Sequence, residues 1–139
     1  MIILACDHAG FKLKEEIKKF LNNENILAID VGTYSQERCD FPDFAKVGCQ
    51  KVLENASNVG IFICGSGIGM SMVANRNPKI RAALCTSVKF ANLARRHNNA
   101  NVLVLPGRFV KKCKAIRIIK EFLTTDFEGG IYLARIKKF

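Results

Sequence analysis

Five short apolar runs, each followed by a segment of helical character, constrain the fold of this chain more than any other feature. The runs predict strands over Ile2–Cys6, Ile26–Val31, Val59–Cys64, Arg81–Cys85 and Asn101–Leu105. The segments between and after them predict helices over Lys12–Asn22, Phe44–Leu53, Met70–Arg76, Val88–Arg95 and Val110–Leu123. Nearly continuous apolar runs are typical of strands buried on both faces. The alternation therefore predicts right-handed crossovers and a parallel sheet covered by helices on both sides.

Length and composition limit the classes of protein to which this chain can belong. With 139 residues, of which 49% are hydrophobic, one domain with a proper core is expected. No apolar run approaches the roughly 20 residues of a membrane span, and Met1–Cys6 resembles a first core strand, not a signal peptide. The six cysteines form no CxxC pair, so we expect reduced thiols, a cytoplasmic location and no metal site.

The net charge of +10 leaves two interpretations open. The densest basic cluster consists of Lys111, Lys112, Lys114, Arg117 and Lys120. Such a cluster can pair with nucleic-acid phosphates, or it can simply be the solvated face of a helix. Aromatic side chains do not alternate with these charges, so we favour the solvated face and expect no nucleic-acid partner. A positive field also suits a small anionic substrate.

A glycine-rich segment directly after the third predicted strand is the strongest candidate for chemistry. Cys64 ends the strand, and three alternating glycines follow in Gly65-Ser66-Gly67-Ile68-Gly69. Backbone amides in such a turn can converge on an anion beside a thiol. The segment lacks both the GxGxxG spacing and the Lys-Ser/Thr ending of known nucleotide loops, and Cys64 taken alone could be a small core residue.

Polar groups also follow the first strand and precede the fifth. Asp7 and His8 come directly after strand one, at the edge of an open sheet where ligands bind. His97 and Asn98 lie between the fourth helix and strand five, and we expect them to converge with Cys64 in one active site. A structural alternative exists for Asp7, which could cap the first helix.

Several motifs, in order along nearly the whole chain, resemble type B ribose-5-phosphate isomerases. They are Cys6-Asp7-His8-Ala9-Gly10-Phe11-Lys12-Leu13-Lys14, Asp30-Val31-Gly32-Thr33, Asp40-Phe41-Pro42, Cys64–Gly69, Asn75-Arg76, Arg95–Asn101 and Gly107-Arg108. This family includes subunits of galactose-6-phosphate isomerase, and some members accept allose 6-phosphate. The resemblance implies a Rossmann-like three-layer αβα sandwich with a five-stranded parallel sheet and a C-terminal helical tail.

The resemblance also implies a reaction and a role for each matching residue. The reaction interconverts an aldose phosphate and a ketose phosphate through an enediolate, without a cofactor or metal. Cys64 would be the base, assisted by the Ser66 hydroxyl, and His97 would open the furanose ring. Three further sets would bind the substrate. The enediolate would be bound by the amides of Gly65, Gly67, Ile68 and Gly69. The phosphate would be bound by His8, Arg108 and Arg135, and the sugar hydroxyls by Asp7 and Asn98.

Two positions depart from the family pattern. The family tail commonly carries one arginine directly after Gly129-Gly130 and another four residues later. Here Ile131 occupies the first position, while Arg135 keeps the second. Isoleucine cannot replace the bidentate phosphate contact of an arginine. Phe41 stands where tyrosine is common, so the ring is kept without its hydroxyl.

Relatives in this family are dimers or tetramers in which each site borrows residues from a neighbouring subunit. We therefore expect one isomerase domain over residues 1–139, with a tail of about 126–139 packed on a partner subunit. The expected activity is ribose-5-phosphate isomerase, in the non-oxidative branch of the pentose phosphate pathway. The alternatives are an isomerase of allose or galactose 6-phosphate, or a non-catalytic phosphosugar-binding module.

Overall fold

A computed structural model describes residues 1–139 and contains one five-stranded parallel sheet and six helices. The strands are β1 (Ile2–Cys6), β2 (Ala28–Asp30), β3 (Val59–Cys64), β4 (Ala82–Leu84) and β5 (Val102–Pro106). The helices are α1 (Phe11–Asn23), α2 (Phe41–Leu53), α3 (Ile68–Ala74), α4 (Val88–Asn98), α5 (Lys112–Thr124) and α6 (Gly130–Ile136). The order β2-β1-β3-β5-β4, with every pair parallel, confirms the predicted α/β architecture.

The alternation of side chains along each strand divides the interior into two cores. Ile2, Leu4 and Cys6 of β1 belong to a cluster of 19 buried residues that also takes side chains from α1, α4 and α5. Ile3 and Ala5 point the other way, into a cluster of 12 buried residues packed against α2 and α3. Two-sided burial explains why the central strands are continuous apolar runs.

Three predicted elements, the two edge strands and α2, differ from the structure in their bounds. β2 and β4 are shorter than predicted because each pairs with a neighbour on one side only. α2 begins at Phe41 and not at Phe44, so Pro42 lies in its first turn and not in a preceding turn. Proline fits there because the first helical residues have no intrahelical acceptor for an amide hydrogen.

Two further helix boundaries change the placement of candidate residues. α3 begins at Ile68 and not at Met70, so part of the glycine-rich segment is helical. α4 begins after Ser87, whose hydroxyl accepts a hydrogen bond from the Phe90 amide at 3.3 Å. It continues to Asn98, three residues beyond the predicted end at Arg95. His97 and Asn98 therefore belong to the last turn of α4 and do not follow the helix, as the sequence analysis expected.

A buried lysine fixes the end of β2 beneath α1. Lys14 is fully buried, and its Nζ donates to the Asp30 carboxylate at 2.6 and 2.7 Å and to the Thr33 carbonyl at 2.7 Å. Lys18 donates to the same carboxylate at 2.8 Å. Burial favours a raised pKa for Asp30, but the lysine hydrogen bonds and the Gly32 amide outweigh it and lower this pKa. The ion pair thus ties the loop after β2 to α1.

No helix has the length and apolar character needed to cross a membrane.

Candidate active site

The carboxyl ends of β1, β3 and β5 meet at one edge of the sheet and form a cavity. In the strand register Cys6 lies opposite Ile63, and Cys64 lies opposite Pro106, so the segments that follow these strands are neighbours. The cavity has a volume of about 400 Å³. Its lining consists of Asp7, His8, Ala9, Phe41, Cys64, Gly65, Ser66, Gly69, Arg108 and Phe109. The predicted grouping of Asp7, His8 and the glycine-rich segment at this edge therefore agrees with the geometry.

Cys64 combines burial with a direct amide contact. Its side chain is only 4% exposed, and the Gly67 amide donates to its Sγ at 3.1 Å. Gly67 makes this contact with a φ of 78°, a left-handed conformation that glycine adopts without strain. An amide donor facing sulfur stabilises negative charge on a thiolate. The turn is thus built around the thiol.

Ser66 is oriented by the backbone that follows it. Its Oγ accepts a hydrogen bond from the Ile68 amide at 3.3 Å. A hydroxyl that accepts a bond in this way retains its own proton for donation to a second group. Because Ser66 lines the cavity, that second group can be a bound ligand.

Asp7 and His8 are both held by backbone atoms at the mouth of α1. One oxygen of the largely buried Asp7 carboxylate accepts from the amides of Ala9 and Gly10 at 3.0 and 2.9 Å. Both amides precede α1, whose N-cap is Gly10 and which has no side-chain cap, so Asp7 stabilises the turn before the helix and does not cap the helix itself. His8 Nδ1 lies 3.2 Å from the carbonyl oxygen and 3.3 Å from the amide of Cys39, which leaves its Nε2 for a ligand.

Arg108 and Phe41 close the cavity on its outer sides. Arg108 is exposed, and its amide donates to the Gly65 carbonyl at 3.1 Å, which links it to the glycine-rich turn. The Phe41 ring lies so close to Gly69 that a Cβ there would come within 2.6 Å of it. Only glycine at position 69 leaves room for both the ring and the turn.

The remaining predicted site residues form a second cluster around the end of α4. The rings of His97 and Tyr132 stack with centroids 4.1 Å apart and an interplanar angle of 10°. The Arg135 guanidinium lies 5.5 Å from the centroid of Tyr132, and Asn98 is exposed beside them. Ile131 occupies the position where the family commonly has an arginine. It lies on α6 with Tyr132 and Arg135, and it is 63% exposed.

The two clusters lie at opposite ends of the strands, one at the carboxyl ends and one at the amino ends. The expected convergence of His97 and Asn98 with Cys64 is therefore wrong for a single chain. α4 runs back to the amino end of β5, where the Asn101 carbonyl accepts from the Gly60 amide. Cys64 lies opposite Pro106 at the far end of the same strand. Five strand residues cover roughly 15 Å. One chain cannot place both side chains on one sugar.

A larger cavity, about 630 Å³, lies between α2 and the end of α3. Its lining is Pro42, Lys46, Cys49, Gln50, Val73, Arg76, Asn77 and Pro78. Burial raises the pKa of its only thiol, Cys49, to about 11, so this thiol is a poor base at neutral pH. We therefore place the active site in the smaller cavity, where the thiol has an amide donor.

The six thiols differ sharply in their surroundings, and none is in a disulfide. Burial raises the pKa of Cys6 to about 12 and the pKa values of Cys49 and Cys85 to about 11. We call these three the core thiols. Cys113 is exposed and Cys39 is half-buried beside His8. Among the buried thiols only Cys64 lines the cavity at the carboxyl edge.

Sequence reasoning missed three features of the two clusters. The Cys39 backbone orients His8, Phe109 lines the cavity, and Tyr132 stacks on His97. The only signal for Tyr132 is its place in the tail beside Ile131. No group of three or more His, Cys, Asp or Glu side chains is arranged to hold a metal ion.

Comparisons with known proteins agree with this architecture. A family model described as Ribose/Galactose Isomerase matches residues 2–139. Ribose-5-phosphate isomerase B of Escherichia coli is 39% identical over 136 residues, which cover 98% of this chain and 91% of that protein.

Two solved structures are similar over almost the whole chain. A ribose 5-phosphate isomerase of Thermotoga maritima is 50% identical with a TM-score of 0.97, and the match covers 99% of this chain and 94% of that one. Ribose-5-phosphate isomerase B of Mycoplasma genitalium, solved with bound ribulose-5-phosphate, is 43% identical with a TM-score of 0.94 and coverages of 99% and 91%. These matches confirm the resemblance derived from the motifs: the chain belongs to the ribose/galactose isomerase family.

Proposed function

We propose that this protein interconverts ribose 5-phosphate and ribulose 5-phosphate by cofactor-free proton transfer through an enediolate. The observation that carries the proposal is Cys64, a thiol at the carboxyl edge of the sheet that accepts an amide hydrogen bond and lines a cavity. Family membership supplies the substrate class. The reaction places the protein in the non-oxidative branch of the pentose phosphate pathway.

The proton transfer is assigned to the first cluster. Cys64 removes the proton from C2 of the aldose and returns it to C1 of the enediolate, while the hydroxyl proton moves from O2 to O1. The transfer between the carbons requires a positioned base. The amides of Gly67 and Ile68 already donate to Sγ of Cys64 and Oγ of Ser66. The amides of Gly65, Ser66 and Gly69 and the Ser66 hydroxyl therefore provide the remaining donors for the enediolate oxygen.

The other groups of the cavity bind the rest of the substrate. Nε2 of His8 and the guanidinium of Arg108 face a phosphate, and charge-assisted hydrogen bonds from such groups are among the strongest in proteins. Asp7 binds a sugar hydroxyl through the carboxylate oxygen that does not accept from the amides of Ala9 and Gly10. Phe41 bounds the sugar as an apolar wall.

A second copy of the chain completes the site. His97, Asn98 and Arg135 lie at the opposite edge of their own sheet, so we assign them to the site of a partner subunit in a homodimer or a dimer of dimers. There His97 opens the furanose ring, Asn98 binds a hydroxyl and Arg135 binds the phosphate. Residues 1–139 form one isomerase domain, whose tail, about residues 126–139, reaches the partner.

The cellular location follows from the thiols. Six free cysteines, two of them outside the core, suit a reducing compartment, and we infer that the protein is cytoplasmic.

The direct test is conversion of ribose 5-phosphate to ribulose 5-phosphate by the purified protein in the presence of a metal chelator. We expect turnover that persists with the chelator and disappears in folded Cys64→Ala. A folded wild-type protein that leaves ribose 5-phosphate unchanged would refute the proposal.

A hexose 6-phosphate is the second candidate substrate, because Ile131 departs from the family pattern at a position expected to bind the phosphate. Isoleucine cannot make the charge-assisted contact that an arginine at this position gives to a phosphate, and the Ile131 side chain is exposed on α6. Allose 6-phosphate and galactose 6-phosphate should be assayed beside ribose 5-phosphate. A higher kcat/KM for either hexose phosphate would reassign the substrate within the same reaction.

A further inference from the structure

The stack of Tyr132 on His97 is the best-defined contact between the tail and α4. The centroid distance of 4.1 Å and the angle of 10° describe two nearly parallel rings. His97 lies in the last turn of α4, and its side chain is 30% exposed. An imidazole so exposed would rotate about its terminal side-chain torsion, which has broad minima. A parallel ring against one face removes that freedom.

Glu128, which precedes the turn at Gly129, anchors the tail to α4 and so holds Tyr132 in place. The Glu128 amide donates to the Arg96 carbonyl at 3.0 Å, and the Glu128 carboxylate accepts from the Arg96 guanidinium at 2.9 Å. Gly129, with a φ of 70°, then reverses the chain, and its carbonyl accepts from the Tyr132 amide at 3.0 Å. Tyr132 is thus held against α4 by the residues that precede it in the tail.

We propose that Tyr132 is a positioning residue that orients the His97 imidazole for ring opening. The proposal rests on the function assigned to His97 above. In that step the C1 hydroxyl loses its proton, the C1 carbonyl forms, the bond from C1 to the ring oxygen breaks, and the ring oxygen gains a proton. One imidazole must therefore present its nitrogen to two oxygens in turn. The stack covers one face of the ring and fixes its plane, while Nε2 lies 3.8 Å from the Glu128 carboxylate of the same tail.

Tyr132 has no comparable role in holding the fold together. α6 contributes no buried residue, and neither hydrophobic core includes Tyr132. Its removal should leave the sheet and both cores intact. An effect of Tyr132 on catalysis can therefore be separated from an effect on folding.

The experiment compares Tyr132→Leu, which removes the stack, with Tyr132→Phe, which keeps an aromatic ring without the hydroxyl. Each is made in the wild type and in His97→Asn, and turnover of ribose 5-phosphate is measured. We expect Tyr132→Leu to lower kcat about tenfold in the wild type, because a misoriented His97 imidazole transfers protons less efficiently. The kcat of Tyr132→Phe should stay within about twofold of the wild type. In the His97→Asn background Tyr132→Leu should cause no further loss, because residues that act through one another are not additive.

Equal losses in the two backgrounds would overturn the inference, since Tyr132 would then act independently of His97. A loss in Tyr132→Phe as large as in Tyr132→Leu would assign the effect to the hydroxyl and would also overturn it. NMR of the His97 ring protons gives a readout independent of activity. The ring-current shift should persist in Tyr132→Phe and vanish in Tyr132→Leu, and unchanged shifts in the Leu variant would exclude the stack.

The same data separate this inference from the proposed function. Full turnover in His97→Asn, or a wild type without isomerase activity, would remove the proposed role of His97 and the inference with it. If His97→Asn lowers turnover and Tyr132→Leu causes the same further loss in that background, the inference about Tyr132 fails while the proposed function stands.

Discussion

The separation of Cys64 and His97 within one chain makes a quantitative prediction for mixed subunits. In a two-fold dimer with shared sites, each site takes Cys64 from one chain and His97 from the other. Cys64→Ala and His97→Asn homodimers should both be nearly inactive. When equal amounts are refolded together, half of the dimers are heterodimers, and each of these contains one site with both native side chains. The mixture should therefore recover about one quarter of the wild-type activity.

The assay is formation of ribulose 5-phosphate, with native mass spectrometry to count the heterodimers. The doubly substituted chain is the matched control. Refolded with an equal amount of wild type, it forms heterodimers in which both sites lack one residue, so the activity per wild-type chain should fall by about half.

A site contained within one chain gives the opposite results. The two single variants would then stay inactive however they are mixed, and the double variant would leave the activity per wild-type chain unchanged. Either result, with heterodimers demonstrated, would refute the assignment of His97 to the partner's site. The roughly 15 Å length of β5 between the two clusters is the physical basis of the expectation.

Three further outcomes can be measured on single variants. Cys64→Ala should lower kcat by about 10²-fold or more without loss of the native circular dichroism. In the wild type, thiol alkylation followed by mass spectrometry should label Cys64 when substrate is absent and leave it unlabelled when substrate is present. The core thiols should stay unlabelled in both cases, because burial raises their pKa. Ile131→Arg should lower the KM for ribose 5-phosphate by about tenfold with little change in kcat, and an unchanged KM would show that another group already binds the phosphate. Asp30→Asn should cost about 3 kcal/mol of unfolding free energy at neutral pH, because it removes the carboxylate that lies nearest to the buried Lys14 charge. Since the pKa of Asp30 is lowered from 3.8, the carboxylate stabilises the fold above that pH, and urea titrations should show the deficit shrinking as the pH falls through the native pKa.

The succession of strands and helices along the chain was predictable because burial on two faces leaves continuous apolar runs. Ile61, Phe62 and Ile63 form a continuous apolar run because adjacent residues enter different cores. The length of the edge strand β2 was overestimated because apolar residues do not all belong to the sheet. Leu27 is apolar, yet it is 77% exposed and lies outside the paired residues of β2. Hydrophobicity alone cannot distinguish a paired residue from an exposed neighbour.

The site was predictable where strand ends alone determine position. Asp7 follows β1 and Cys64 ends β3, and because these strands are adjacent and parallel the two residues lie at the same end of the sheet. His97 was misplaced because a helix after a parallel strand must return to the starting edge, which puts residues before the next strand far from the ligand. The contact of Tyr132 with His97 depends on the tail folding back on α4, and no local pattern encodes that.

The tail helix α6 has an energetic consequence of its own. None of its residues is buried, so it can detach from α4 without opening either core. Local detachment of this kind costs far less than global unfolding. On gentle heating, catalysis should therefore fail before the sheet melts, and the amide hydrogens of α6 should exchange with solvent much faster than those of α5. We therefore expect the stability of α6, and not that of the two cores, to limit the temperature at which the enzyme works.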